Sequence, residues 1–283
     1  MKMNFKKAPL KLTDVSKTAI VTLRSRVIES ERSRHVITDP MARFCLDKII
    51  SMVPEEDNEQ VLKRNLSPVL TLHLALRARK YDSLVNDYIA ENPGCVVINL
   101  GCGFDTRYWR INNRECEYLD LDLPEVIELK KEILGEELKY ELIGSSVLNT
   151  SWIDMVTAKR SQNVLLLAEG LFMYLEREDV INLLRVITRS FLRSQIILEV
   201  VEQKYTRGIW KRMAEMKMKR ELGLEAGSSY NFGIKDAREL ETFAGGIRVI
   251  SEWSYFEDPD IRPRILKYMR LPRTQWTVTA LIN

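Results

Sequence analysis

An apolar run, a pair of glycines and a pair of acids follow one another at fixed intervals between Cys95 and Pro124, and few folds accept that order. Val96, Val97, Ile98 and Leu100 form a short β-branched-rich run ending at Gly101. A run of that length, bounded by glycines, reads as a parallel strand buried on both faces. Gly101 and Gly103 then let the backbone turn tightly and approach a ligand, as residues without Cβ allow. Thr106 to Ile111 is expected to start a crossover helix. A second strand, Glu117 to Leu123, carries Asp120 and Asp122 near its end. They follow Gly101 by 19 and 21 positions (120 − 101 and 122 − 101). That matches the offset of about 20 at which a nucleotide-binding βαβ unit holds a ribose by its hydroxyls.

A Gly-x-Gly turn is common by itself, and the informative point is the missing third glycine. The dinucleotide fingerprint uses that glycine to bring a helix N-terminus close to a pyrophosphate. Here the third position is Thr106, and the turn carries Asp105 where a phosphate would sit. A carboxylate there repels a diphosphate and tolerates a cationic ligand. S-adenosylmethionine has a ribose, an adenine and a sulfonium but no phosphate, so the pattern favours it over NAD.

After residue 94 strand and helix signals alternate, which argues for a doubly wound sheet. The expected helices are Pro124–Leu134 and Arg177–Leu192; the expected strands are Tyr140–Val147, Val164–Ala168 and Gln195–Val201. Two late runs, Ile247–Tyr255 and Gln275–Ile282, read as a terminal β-pair, the last strand antiparallel. Residues 202–246 interrupt the alternation with a Lys/Met-rich helix from Tyr205 to Leu222 and a short one at Asp236–Phe243. Before the first strand come a basic arm (1–12), a helix at about 13–28, and two helix starts, Asp39-Pro40 and Ser67-Pro68. Each start pairs an N-cap residue with a proline at the first helical position. The second helix runs to Ala90 and stops at Asn92-Pro93-Gly94. The expectation is an α/β fold around a seven-stranded, mostly parallel sheet. Its parts are a helical N-terminal cap (1–93), a core (94–201), an insertion shaping the acceptor site (202–246) and the β-pair (247–283).

Composition narrows the function classes. A net charge of +3 is too small for a dedicated nucleic-acid binder, so no nucleic-acid partner is expected. Four cysteines without a CxxC pair, and two histidines, do not suggest a zinc site. Free thiols, no apolar leader and no uncharged apolar stretch near about 20 residues lead us to expect a cytoplasmic protein without a membrane span.

Three segments together, Asn99-Leu-Gly-Cys-Gly-Phe-Asp-Thr-Arg107, Asp120-Leu-Asp-Leu-Pro-Glu-Val126 with Lys130, and Ala168-Glu-Gly-Leu-Phe-Met-Tyr-Leu175, resemble the leucine carboxyl methyltransferase family. That family includes tetracenomycin-type polyketide O-methyltransferases. The resemblance runs from about Thr13 to the C-terminus. It implies an S-adenosylmethionine-dependent O-methyltransferase acting on a small molecule or a peptide C-terminus, most simply at a carboxylate. By resemblance Asp122 holds the ribose, with Asp120 as its neighbour, and Glu169 lies near the methionyl part. Arg79 pairs the cofactor carboxylate, with Arg77 a close competitor, and Lys17 sits at the mouth. Ser146 and Val147 stand where the family carries Asp-Leu beside the adenine, so the usual charged acceptor is absent. Three other readings stand beside this one: a sensor or scaffold that binds S-adenosylmethionine without turnover, a nicotinamide-dependent oxidoreductase, and RNA modification, to which a net charge of +3 gives little support. No residue is expected to act as a nucleophile. Tyr108, Tyr174, Tyr230 and Trp210 are candidates for an acceptor pocket, although aromatic residues more often serve the core.

Overall fold

The computed structural model describes residues 14–53, 65–159, 163–222, 229–268 and 274–283; the side chains of 14–17, 158–159 and 221–222 lie outside that description. The expected arm at 1–12 also falls outside it.

The apolar runs become the central strands. β1 (Cys95–Leu100) is buried at every position, as is β4 (Val164–Ala168). Both lie inside a sheet ordered β3-β2-β1-β4-β5-β7-β6. Its other members are β2 (Cys116–Asp122), β3 (Glu141–Gly144), β5 (Ser194–Val201), β6 (Ile247–Trp253) and β7 (Gln275–Ile282). The first five strands run parallel, and β7 pairs antiparallel with β5 and β6. The expected seven-stranded, mostly parallel sheet is therefore present. Strand order reverses between β1 and β4, and a ligand crevice opens beyond the carboxyl ends at such a switch point.

Among the described residues three helices precede β1: α1 (Asp14–Ser30), α2 (Pro40–Met52) and α3 (Pro68–Glu91). Both expected caps form, Asp39 Oδ1 accepting from Ala42 N at 2.9 Å and Ser67 Oγ from Leu70 N at 3.2 Å. These helices build one layer of the fold. Tyr81, Val85 and Ile89 of α3 pack with Val97, Leu165 and Ile197 of the sheet. α1 and α2 join α4 (Pro124–Leu134) through Leu23, Ile49 and Ile133. The opposite face carries α5 (Ser151–Lys159), which the sequence pattern did not suggest, and α6 (Arg177–Ser190). Trp152 of α5 is fully buried there.

Two expectations are corrected. No α-helix starts at Thr106; the β1–β2 crossover contains only 3-10 turns, Arg107–Trp109 and Asn113–Glu115. Helix α3 already covers that face, and a 3-10 turn stacks residues i and i+3. That geometry sends both Arg107 and Arg110 into the interior (side chains 0% and 5% exposed). β3 is also shorter than Tyr140–Val147. Its partner β2 ends opposite Gly144 and turns at Pro124 into α4, while Ser146 starts a turn by accepting from Leu148 N at 3.3 Å. In 202–246 the Lys/Met-rich helix α7 spans Gly208–Leu222 and is preceded by a 3-10 turn.

Candidate functional site

A cavity of ≈ 1130 Å³ opens at the carboxyl ends of β1, β2, β3 and β4. One small ligand usually takes a site of roughly 300–1,000 Å³, so this one has room for more. It has two unlike halves. The strand-end half is walled by Gly101, Gly103, Asp122, Ser146, Val147 and Glu169. The other half lies between α3, α7 and the chain around Tyr255, walled by His73, Tyr174, Trp210, Met213, Lys217 and Tyr230.

In the strand-end half the backbone does most of the shaping. Gly101 and Gly103 sit at φ of 64° and 48°. A Cβ on Gly101 would lie 2.8 Å from Leu171, and one on Gly103 would lie 3.0 Å from Ala19 of α1. Only glycine closes so narrow a turn. Asp122 faces the cavity at the end of β2, its Oδ2 accepting from Gly103 N and its Oδ1 from Leu123 N, both at 2.7 Å. Burial raises its pKa above the usual carboxylate value, with those two N–H groups acting in the opposite direction. Asp120 is two residues earlier, one layer deeper and absent from the cavity wall. Lys130 of α4 donates to it at 2.6 Å and Asn99 Nδ2 at 3.0 Å. Of the two acids expected near the ribose position, only Asp122 is within reach of a ligand.

Behind this half stands a buried lattice of ion pairs. Arg107 donates to Asp82 at 2.9 Å, Asp105 at 2.5 Å and Glu169 at 2.6 Å. Arg110 reaches Asp39, Asp82 and Asp105 at 2.7–3.2 Å. Arg26 of α1 closes the set, pairing Asp39 at 2.9 Å and donating to Phe104 O. Buried charges persist only when paired and hydrogen-bonded, and this lattice achieves that across α1, α2, α3, the β1 turn and the end of β4. It also corrects the reasoning about Asp105. That residue lines the cavity, but both oxygens are engaged by Arg107, Arg110 and Asn99, so it presents no bare anion. Burial disfavours its charge, yet Arg107 and Arg110 more than reverse that and hold its carboxyl below the usual range. Glu169 behaves alike: burial pushes up, and Arg77 with Arg107 brings its pKa net down.

The expected arginine is also corrected. Arg79 does not reach the wall; it pairs Asp258 and Asp260, each at 2.7 Å, on the outer side of α3. Arg77 lines the cavity, Nε donating to Glu169 at 2.7 Å and Nη1 to Glu199 at 2.8 Å. Two positions on a helix differ by about 200°, so only one of these side chains can face the sheet. Ser146 and Val147 are on the wall as expected, while the side chain of Lys17, in the first turn of α1, lies outside the described residues.

The second half is apolar with scattered charge. Tyr174, Tyr230 and Trp210 line it as anticipated; Tyr108 instead joins an aromatic group with Trp109, Tyr118 and Tyr140. His73 stacks on Tyr255 with ring centroids 3.9 Å apart. Burial, with Arg77 and Lys217 nearby, pushes its pKa down to about 3, so the ring is neutral at physiological pH. His73, Lys217, Arg110 and Glu199 were not anticipated. The i, i+3 spacing of Arg107 and Arg110 after Asp105 was a usable signal; the others lack any local pattern.

Residues 19–188 match the leucine carboxyl methyltransferase family, more than half of the chain. The chain belongs to that family. The tetracenomycin polyketide synthesis O-methyltransferase TcmP of Streptomyces glaucescens is 30% identical over 259 residues, covering 90% of this chain and 89% of that protein. The S-adenosyl-L-methionine-dependent methyltransferase dpfgK of Gibberella zeae is 27% identical over 287 residues, 98% of this chain and 91% of its own length. A putative methyltransferase from Thermobifida fusca shares the fold, with a TM-score of 0.58 at 12% identity over 99% of this chain and 97% of that one. This leucine carboxyl methyltransferase family member is an S-adenosylmethionine-dependent methyltransferase, with S-adenosylmethionine as its cofactor. The oxidoreductase and sensor readings gain no support. No helix among the described residues is long and apolar enough to cross a membrane.

Proposed function

We propose that the enzyme transfers the methyl group to an oxygen, and that the oxygen belongs to a carboxylate of a small molecule or a peptide C-terminus. The observation that carries this reading is the lack of an available base on the cavity wall among the described residues. His73, with a pKa near 3, holds a proton too weakly to serve as a general base at neutral pH. Asp105 and Glu169 are engaged by arginines, and Asp122 stands in the strand-end half, where it is assigned to the ribose. A phenol of pKa about 10 would need deprotonation at or before attack, whereas a carboxyl of pKa about 4 is already ionised. For such an acceptor, positioning and exclusion of water suffice, and orientation can supply up to about 7–11 kcal/mol of the barrier reduction.

The wall fits the cofactor's chemistry. A carboxylate offers about four lone-pair positions, and Asp122 spends one per oxygen on the backbone, leaving capacity for two ribose hydroxyls. Gly101 and Gly103 supply the narrow turn beside it. Ser146 and Val147 flank the adenine position, with an uncharged hydroxyl in place of the family's Asp. Arg77, whose Nε and Nη1 are bound to Glu169 and Glu199, has Nη2 left for the amino-acid carboxylate. Bound S-adenosylmethionine supplies the activated methyl. Glu169 fixes Arg77 and Arg107 at the methionyl end, and the half between α3 and α7 positions the acceptor. The four cysteines are free, which fits a cytoplasmic location.

The test is a pH profile of methyl transfer with radiolabelled S-adenosylmethionine, once an acceptor is found by screening carboxylic acids and peptides. Transfer limited by chemistry should be nearly flat from about pH 6 to 9, and mild alkali should release methanol from the product. A rate rising about tenfold per pH unit, with an alkali-stable product, would establish a phenol ether and overturn the carboxylate.

A further inference from the structure

Arg77 is gripped from two sides by acids of different standing. Glu169, at the end of β4, is on the cavity wall. Glu199 is inside β5, is 1% exposed and does not line the cavity. It accepts from Arg77 Nη1 at 2.8 Å and lies beside Gly170, the residue that follows Glu169. The site is compact: a Cβ on Gly170 would lie 3.6 Å from Glu199 Oε2 and 3.8 Å from Arg77 Nη1 and Nη2. A carboxylate buried in a central strand is costly unless it is paired, so its presence asks for a reason. One ion pair to Glu169 would neutralise Arg77 but leave the guanidinium free to swing about Nε. Bonds at both Nε and Nη1 fix the plane of the fork and with it the direction of Nη2.

We infer that Glu199 is a positioning residue: from inside the sheet it holds Arg77 so that the guanidinium meets the carboxylate of the cofactor. This inference rests on the assignment of Arg77 proposed above, and it reaches a residue that touches no ligand. It follows that the adenosine end of the site is built independently of Glu199. Asp122, Gly101, Gly103 and Ser146 belong to the end of β2, the turn after β1 and the chain after β3, and none is bonded to Arg77 or Glu199. Glu199 should therefore matter only for ligands that carry the amino-acid group.

Two probes separate these cases: S-adenosylhomocysteine has that group, and methylthioadenosine has the same nucleoside without it. Glu199→Gln keeps the shape and removes the charge. By calorimetry on the full chain it should weaken S-adenosylhomocysteine roughly tenfold, the scale of one charge-assisted hydrogen bond. Methylthioadenosine binding should be unchanged, which also shows that the variant is folded. Arg77→Lys, in parallel, should give the same selective loss, because a point charge cannot reproduce the fork. Selective loss in Arg77→Lys with none in Glu199→Gln overturns the inference and leaves the Arg77 assignment standing. No loss in Arg77→Lys overturns that assignment and the inference with it. If Glu199→Gln and Glu199→Asp both weaken the two ligands equally, Glu199 is structural and the inference is wrong.

Discussion

The two halves of the cavity are built by different means. In the strand-end half, polar side chains are locked by backbone N–H groups and by ion pairs inside the protein, so its shape exists before any ligand arrives. In the half facing α7 the walls are apolar and incompletely covered: Trp210, Met213 and Met216 remain 46%, 53% and 73% exposed. Methionine side chains are unbranched and adapt to irregular partners. Under the proposed function, the first arrangement suits the cofactor and the second the methyl acceptor.

The sharpest way to break this contrast is through stability. Arg107→Ala leaves Asp82, Asp105 and Glu169 buried with less compensation and should cost about 3–5 kcal/mol in urea or thermal unfolding. Met213→Ala, on the exposed wall of α7, should change stability by no more than about 0.5 kcal/mol. Comparable losses at both positions would mean that α7 is as structural as the ion lattice.

Next in size is Asp122, the residue proposed to hold the ribose. Asp122→Ala should weaken S-adenosylhomocysteine by roughly 10–150-fold, the equivalent of about 1.5–3 kcal/mol for a charged hydrogen bond. Asp120→Ala should act on stability instead, since it takes from buried Lys130 its carboxylate partner, leaving the Asp105 carbonyl, and does not line the cavity. Calorimetry beside a denaturation curve separates the two, and a large affinity loss at Asp120 would contradict the placement given to these acids.

A smaller effect belongs to His73 in the apolar half. Its folded pKa of about 3 lies below the unfolded value of about 6.5, so between those values the unfolded state binds more protons. Stability from this group is fully present above about pH 6.5 and is lost as pH falls, by about 1 kcal/mol per unit. His73→Asn should flatten the curve between pH 6 and 5. An unchanged slope in that variant would place the acid sensitivity elsewhere.

The smallest effect expected is at Arg79→Lys. Its pairs with Asp258 and Asp260 are partly exposed, where ion pairs contribute about 0–1 kcal/mol, and cofactor binding should not change. A cofactor affinity lowered by this variant would restore the residue that family resemblance favoured.

How much of this was legible follows the range of each interaction. The β1 run, the two glycines, the acid at the end of β2 and the two helix caps are local patterns, and the structure shows each where the residues predict it. The β1–β2 crossover misled because Thr106–Ile111 has acceptable helical content, while α3, already packed on that face, leaves room only for a 3-10 turn. Asp105 misled in another way: its position was right, but its charge could be judged only with Arg107 and Arg110 in place.

By itself, then, the sequence determined the seven-stranded α/β frame and the glycine turn that faces the cavity. These depend on strand periodicity, glycine backbone freedom and capping, all decided within a few residues. Only the tertiary structure decided between Arg77 and Arg79, between Asp122 and Asp120, and brought Glu199 behind the site. Arg77 meets its partners across 92 and 122 residues of chain. No local pattern encodes pairings at that separation, because they depend on which helix face the packed sheet accepts.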